Sequence, residues 1–440
     1  MMSKTAFWGW LWGLSFLMTS QAIQAMDGEP RRAKWHATFK TVQPVGREIV
    51  TIEPQSVLQT AGVLPGDVLL AVDDEVIRNG DQWWDIIYGL RADTGTKLTL
   101  RRGTTVVTKT VVFEAVAKEE YDNLTTEYGT IVSDYNLRQR TIMTYPEKGQ
   151  PQPAIFVVGG LSCSSIEYTP GRQSNFIRSL QYLVRNSDML VMRVEKPGVG
   201  DSEGRCSETD FNTELNGYEV ALQTLMADER VDRNRIIVYG SSMGSALAPY
   251  LVNKYQLNGA ISDGTFFRSW FEHMLEIERR ILTMKGDDQA TVNDKINRAY
   301  IPLYYGMLVE KKSYQQVIEQ NPLLAEYNYH SPAHMYGRPV SFYHQMQDFN
   351  FAGEWGKLKA PVRIRYGLND WIMSEYDIDM IEQVLIANQH PDFEVIKVPG
   401  LDHWDTFHAT ALDSFQGKPG KWQESLPQQL VDWAQTLNQE

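Results

Sequence analysis

Three residues, each placed where an apolar run ends, have the types and order needed for acyl transfer. Ile236-Ile237-Val238-Tyr239 runs directly into Gly240-Ser241-Ser242-Met243-Gly244, and a helical pattern follows from Met243 to Tyr255. A glycine on either side of Ser242 suits a turn too sharp for side chains, which pushes the serine hydroxyl into the open. A serine hydroxyl is a weak nucleophile: it needs a base, and the base needs an acid to orient it. Asp370 follows the run from Val362 in Tyr366-Gly367-Leu368-Asn369-Asp370, and His403 follows the next run in Val398-Pro399-Gly400-Leu401-Asp402-His403. The expected assignment is Ser242 as nucleophile, His403 as base and Asp370 as its orienting acid. The backbone N–H of Met243, next to the nucleophile, suits the oxyanion that such chemistry develops. Asp263, after the run from Gly259, is an alternative acid. Asp402 reads as a loop cap, and His408 competes with His403 from further along the chain. His330 and His334 are four apart, but Pro332 interrupts any helix between them and no Glu follows His330, which argues against zinc. No metal or organic cofactor is implied.

These residues need a rigid frame. Ile155 to Val158, Met189 to Val194, Arg235 to Tyr239, Gly259 to Ser262, Val362 to Tyr366 and Phe393 to Val398 read as strands, several with almost no polar residue. Strands of that kind are buried on both faces, as in a parallel sheet covered by helices. Glu214 to Met226, Met243 to Tyr255 and Glu375 to Asn388 read as those helices. With Gly-x-Ser-x-Gly between strand and helix, and the order Ser242, Asp370, His403, residues 118–440 resemble the α/β-hydrolase superfamily. The resemblance implies a mostly parallel sheet and places a second oxyanion N–H on Leu161, in Gly159-Gly160-Leu161-Ser162-Cys163-Ser164. It also sets Glu195-Lys196-Pro197-Gly198-Val199-Gly200-Asp201-Ser202 in the loop after the following strand. Cys163 and Cys206 then lie in neighbouring loops, and the family comparison implies a disulfide between them in an oxidising compartment. Between about 265 and 351 the alternation stops. Phe266, Phe267, Trp270, Phe271, Met274, Tyr300, Tyr304, Tyr305 and Met307 suggest a helical lid there.

Residues 33–117 read as a separate β-rich module. Pro65 and Gly66 supply a turn before Val68 to Val72, Asn79 offers a cap for a helix carrying Trp83, Ile86, Ile87 and Leu90, and Leu98 and Leu100 alternate with polar residues. The run Ser56-Val57-Leu58-Gln59-Thr60-Ala61-Gly62-Val63-Leu64-Pro65-Gly66-Asp67-Val68-Leu69-Leu70-Ala71-Val72-Asp73 resembles a bacterial PDZ domain. That resemblance implies capture of an extended peptide C-terminus, here the tail of an exported protein. Val45-Gly46-Arg47 matches the carboxylate-binding turn, with Arg47 where an apolar residue is usual.

The chain has 440 residues, with 42 Lys plus Arg against 55 Asp plus Glu, a net charge of -13. Such a surface repels phosphate backbones, so nucleic acid is not an expected partner. Two cysteines exclude a disulfide-framework mini-protein and a Cys-rich zinc site. The start, with Lys4, the apolar run Ala6 to Met18 and Ala22-Ile23-Gln24-Ala25, has the order of a cleavable export signal over residues 1–25. Its apolar run is shorter than the roughly 20 residues of a spanning helix, so no stable membrane span is expected after processing. The expectation is a secreted or periplasmic serine hydrolase acting on a small acyl ester or on a peptide bond. An enzyme restricted to carboxylesters and a noncatalytic PDZ-based binding protein are the alternatives.

Overall fold

The computed structural model describes residues 30–42, 45–169 and 174–439; the export signal expected over residues 1–25 lies outside them. The N-terminal module is a mixed-length antiparallel sheet of β1 (Ala37–Thr41), β2 (Arg47–Ile52), β3 (Val68–Val72), β4 (Glu75–Val76), β5 (Gly95–Arg102) and β6 (Thr105–Val112). Their order is β1-β2-β3-β5-β6, with β4 on β3. Burial in β5 alternates, with Thr96, Leu98 and Leu100 inward, so one face packs on a core of Trp35, Leu69, Ile77, Trp83 and Phe113. The helix Gly80–Gly89 begins where the Asn79 side chain accepts the Gln82 N–H, and it delivers Trp83 and Ile86 to that core. Asp67 closes the Pro65-Gly66 turn by accepting the Leu64 N–H at 2.9 Å and pairing with Arg102 at 2.7 Å.

The larger sheet has eight strands: β7 (Thr125–Val132), β8 (Arg138–Tyr145), β9 (Gln152–Val158), β10 (Leu190–Val194), β11 (Val231–Ser241), β12 (Gly259–Asp263), β15 (Val362–Gly367) and β16 (Phe393–Val398). The numbers between fall to a two-stranded ribbon, β13 (His334–Met335) and β14 (Arg338–Pro339). The order is β16-β15-β12-β11-β9-β10-β8-β7, parallel from β16 to β10 and antiparallel beyond. One face is covered by the helices Phe211–Ala227, Met243–Tyr255 and Glu375–Ala387, and the other by Asn175–Asn186 and Ser425–Leu437. All six predicted strands are present. β7 and β8 go unread in the sequence because polar residues sit among the buried positions of β8, two of them held by distant partners. Arg140 reaches Asp201 at 3.2 Å and the Gly129 carbonyl at 3.0 Å, and Gln139 donates to the Glu195 carbonyl at 3.1 Å.

Between β12 and β15 the chain leaves the sheet and forms helices that include Trp270–Met284, Gln289–Lys295, Tyr314–Gln320, Val340–Asp348 and Phe351–Lys357, along with the β13–β14 ribbon. Trp270 opens the first helix, which a Ser269–Glu272 capping box starts, and its buried face carries Met274, Ile277 and Ile281. The N-terminal module docks on the loops that follow β9 and β10. Arg31 and Arg32 pair with Glu167, Arg31 also with Asp201, Arg205 with Glu75 at 2.6 Å, and Ser207 bonds Asp85.

Candidate active site

β11 ends at Ser241 and the helix Met243–Tyr255 begins at once, leaving Ser242 as a one-residue elbow at φ 56°, ψ -125°. A side chain on Gly240 would overlap the Gly244 carbonyl, and one on Gly244 would overlap the Val158 carbonyl. The two glycines are therefore the only residues that let the helix start this close to β9 and β11. The elbow is held by the Ser242 N–H on the Asp263 carbonyl at 2.9 Å. That hydrogen bond offsets part of the cost of a left-handed serine, a strain typical of sites that do chemistry.

His403 Nε2 lies 2.9 Å from Ser242 Oγ, and His403 Nδ1 lies 2.7 Å from Asp370 Oδ2. Asp370 is fixed through its other oxygen, which accepts the N–H groups of Ile372 and Met373 at 2.8 Å each. Burial alone would lower the His403 imidazole pKa. The adjacent Asp370 carboxylate, helped by Asp263 and Asp402, outweighs burial and raises it above the ordinary histidine value. The bond to Asp370 places the proton on Nδ1, so Nε2 is the acceptor facing the serine.

The rival residues are engaged elsewhere. Asp263 pairs with Arg365, Oδ1 accepting from Nε at 2.9 Å. Asp402 accepts the N–H groups of Trp404 and Thr406 at 2.9 Å and the Ser414 hydroxyl at 2.7 Å, so it caps its loop. His408 Nε2 sits 3.2 Å from Asp402, away from the serine. His330 packs between Tyr329 and Tyr336, with ring centroids 4.1 and 4.5 Å away, and burial pushes it down to about 4. His334 accompanies Ser331 in the ribbon loop. Among the described residues no three His, Cys, Asp or Glu side chains are grouped to hold a metal ion.

Met243 begins its helix beside the serine, and Leu161 lies in the turn after β9 that faces it. A Cβ placed on Gly160 would stand 3.0 Å from Ser242 Cβ, so a side chain there would crowd the nucleophile. Cys163 and Cys206 form a disulfide, with Cα atoms 6.0 Å apart, tying this turn to the loop after β10. The serine opens into a cavity of about 600 Å³ walled by Phe176, Phe266, Trp270, Ile277, Trp371 and Trp404, a size that suits a small molecule. Sequence reading expects some of the lid aromatics to line this pocket without saying which, Phe266 and Trp270 being two that do, and misses Trp371 and Trp404. The signal for Trp404 is its place next to His403, where an aromatic must line whatever the histidine faces.

In the N-terminal module the Val45-Gly46-Arg47 turn is less open than a carboxylate cradle. The Gly46 N–H donates to the Ile77 carbonyl at 3.2 Å, and β2 is paired by β1 along its length and by β3 at Arg47 and Glu48. The Arg47 guanidinium rests on the Trp83 ring at 5.4 Å, with no ion pair among the described residues.

No family model matches the sequence. Among curated proteins the chain is similar to Esterase EstD of Thermotoga maritima, 21% identical over 236 residues. Those residues are 53% of this chain and 50% of that protein, so the chain spans about half the length of the curated relative it matches. Among solved structures it is similar to an esterase of Pyrococcus furiosus, with 13% identity, 73% of this chain and 95% of the other, and a TM-score of 0.43. It is also similar to acetyl xylan esterase 1 of Thermoanaerobacterium, with 12% identity, 73% and 86% coverage and a TM-score of 0.44. The strand order, the parallel core flanked by an antiparallel pair, and a serine elbow between β11 and its helix give the large domain of this chain the α/β-hydrolase fold.

Proposed function

We propose that this protein is an exported serine hydrolase that cleaves small acyl esters with an apolar acyl group. The observation that carries the reading is the continuous chain Ser242 Oγ, His403 and Asp370, at 2.9 and 2.7 Å, opening on a cavity walled by aromatic residues. In the reaction Ser242 Oγ attacks the ester carbonyl carbon while His403 Nε2 takes its proton. The carbonyl oxygen gains the negative charge and is met by the N–H groups of Leu161 and Met243. Collapse of the tetrahedral intermediate breaks the bond to the alcohol, which leaves with the proton from His403. Water then attacks the acyl-serine, giving its proton to His403, and the acid departs as Ser242 is restored. Asp370 keeps the imidazole in the productive tautomer and stabilises its charged form.

Export is supported by the signal pattern at the start and by the Cys163–Cys206 pair, which persists in oxidising compartments. Hydrolysis of short acyl esters beside short peptidyl amides, by residues 26–440, tests the substrate class. Ester turnover without amide cleavage is expected, and amide cleavage that depends on Ser242 would make the protein a peptidase instead. We read the N-terminal module as PDZ-like, with a polypeptide C-terminus as its partner and Arg47 as the cation that carboxylate would meet. A peptide with a free carboxylate is expected to bind and its C-terminal amide not to; equal binding of the two would reject carboxylate capture.

A further inference from the structure

The turn that carries Leu161 is gripped through its carbonyls, and one of the groups that grips it, Lys196, also lines the cavity. The Lys196 ammonium donates to the Gly160 carbonyl and, at 3.0 Å, to the Ser162 carbonyl. The Arg338 Nε donates to the Leu161 carbonyl, between them, at 3.1 Å. Three consecutive carbonyls are thus held by two cations. Both cations are buried, and both meet one buried carboxylate, Glu214: Lys196 at 3.4 Å and Arg338 through Nη2. Arg338 also donates to the Cys206 carbonyl at 3.4 Å, next to the disulfide.

The peptide bond gives this grip a direction. In a trans peptide the carbonyl of one residue and the N–H of the next point opposite ways. Turning the Gly160 carbonyl towards Lys196 therefore turns the Leu161 N–H away from Lys196. Rotation of that one peptide by half a turn would aim a carbonyl at the nascent oxyanion.

Resting on the hydrolase reading above, we infer that Lys196 is a positioning residue that fixes the Gly160–Leu161 peptide with its N–H towards Ser242. Arg338, from the β13–β14 ribbon of the insertion, is the second pin. Lys196 acts through the turn: its ammonium donates to the Gly160 and Ser162 carbonyls and forms an ion pair with Glu214 at 3.4 Å. The charged groups facing it are Glu214 from the helix Phe211–Ala227, Arg338 from β14 and the neighbouring Glu195. Burial, with Arg338 adding to it against the opposing Glu214, pushes the ammonium down to about 8. The grip is thus charged below that pH and loses its proton above it.

The test uses the 26–440 chain with p-nitrophenyl acetate as substrate, phenylboronic acid as tetrahedral mimic and a serine-directed phosphonate as label. Lys196→Met is expected to lower kcat by about 10- to 100-fold, short of the 10²–10³ for loss of an oxyanion donor itself. KM should change little, while the inhibition constant of phenylboronic acid rises by the factor that kcat falls. Lys196→Arg should keep most of kcat and lose the alkaline fall above about pH 8, because a guanidinium does not titrate there. That profile remains decisive should Lys196→Met fail to fold. A folded Lys196→Met with wild-type kcat, an unchanged boronate constant, or an alkaline fall persisting in Lys196→Arg would each overturn the assignment. A wild-type chain that neither labels nor turns over would sink the hydrolase reading itself; one that labels, beside an unaffected Lys196→Met, sinks only the role of Lys196.

Discussion

Ser242→Ala is expected to lower kcat for short acyl esters by about 10⁶-fold, leaving only what the cavity and the oxyanion donors achieve with water. The size of the loss follows from the site's construction. Ser242 is the single hydroxyl that His403 Nε2 reaches, at 2.9 Å, and Ser241 beside it belongs to β11 and is not positioned to replace it. The substitution should leave stability nearly unchanged, since the elbow is held through the Ser242 backbone N–H and the packed glycines, none of which alanine disturbs. Steady-state kinetics together with thermal unfolding check both halves. A loss below about 100-fold would mean that the reaction does not pass through this serine, because a genuine nucleophile does not leave that much behind.

Asp370→Asn should cost about 10⁴-fold in kcat, as expected when the residue that fixes the histidine tautomer becomes an amide. Asparagine keeps the shape and an oxygen for the Ile372 and Met373 N–H groups, but it removes the charge facing Nδ1. The pH dependence then moves in a defined direction. His403 must be neutral to act as base, and in the wild type Asp370 holds its pKa above the ordinary value in spite of burial. The acid limb of kcat/KM should therefore lie above the ordinary histidine value and shift to lower pH in the variant, where burial acts with less opposition. An acid limb that stays in place would show that the titrating group is not His403, or that its partner is not Asp370.

The grouping of Ser242, His403 and Asp370 was legible in the sequence because each lies within a few residues of the end of an apolar strand, and in a parallel sheet those ends share one edge. The Gly240 and Gly244 spacing told the same story through sterics. What escaped was information spread across the chain. Gln139 and Arg140, buried in β8, find partners 56 and 61 positions away in the loop after β10, so locally they look like surface residues. The cations that grip the Leu161 turn come from Lys196 and Arg338, and their shared carboxylate from Glu214 in a third element; no spacing rule links the three. In the N-terminal module the turn residues Pro65-Gly66-Asp67 announced β3, yet the pairing of β2 on both sides and the use of the Gly46 N–H depend on partners that local pattern does not name.

The docking of Arg31 and Arg32 on Glu167 and Asp201 has a consequence for the order in which the molecule is completed. These contacts join positions 135 to 170 residues apart. A ribosome releases the arm first, so the N-terminal module is free to fold while its acidic partners are still being synthesised. The arm can close only after β9, β10 and the loop carrying Asp201 have taken their places, because Glu167 and Asp201 are brought together by the sheet. Contacts so distant in sequence form late and slowly. Formation of these Arg31 and Arg32 contacts is therefore expected to follow the assembly of the loops that carry Glu167 and Asp201.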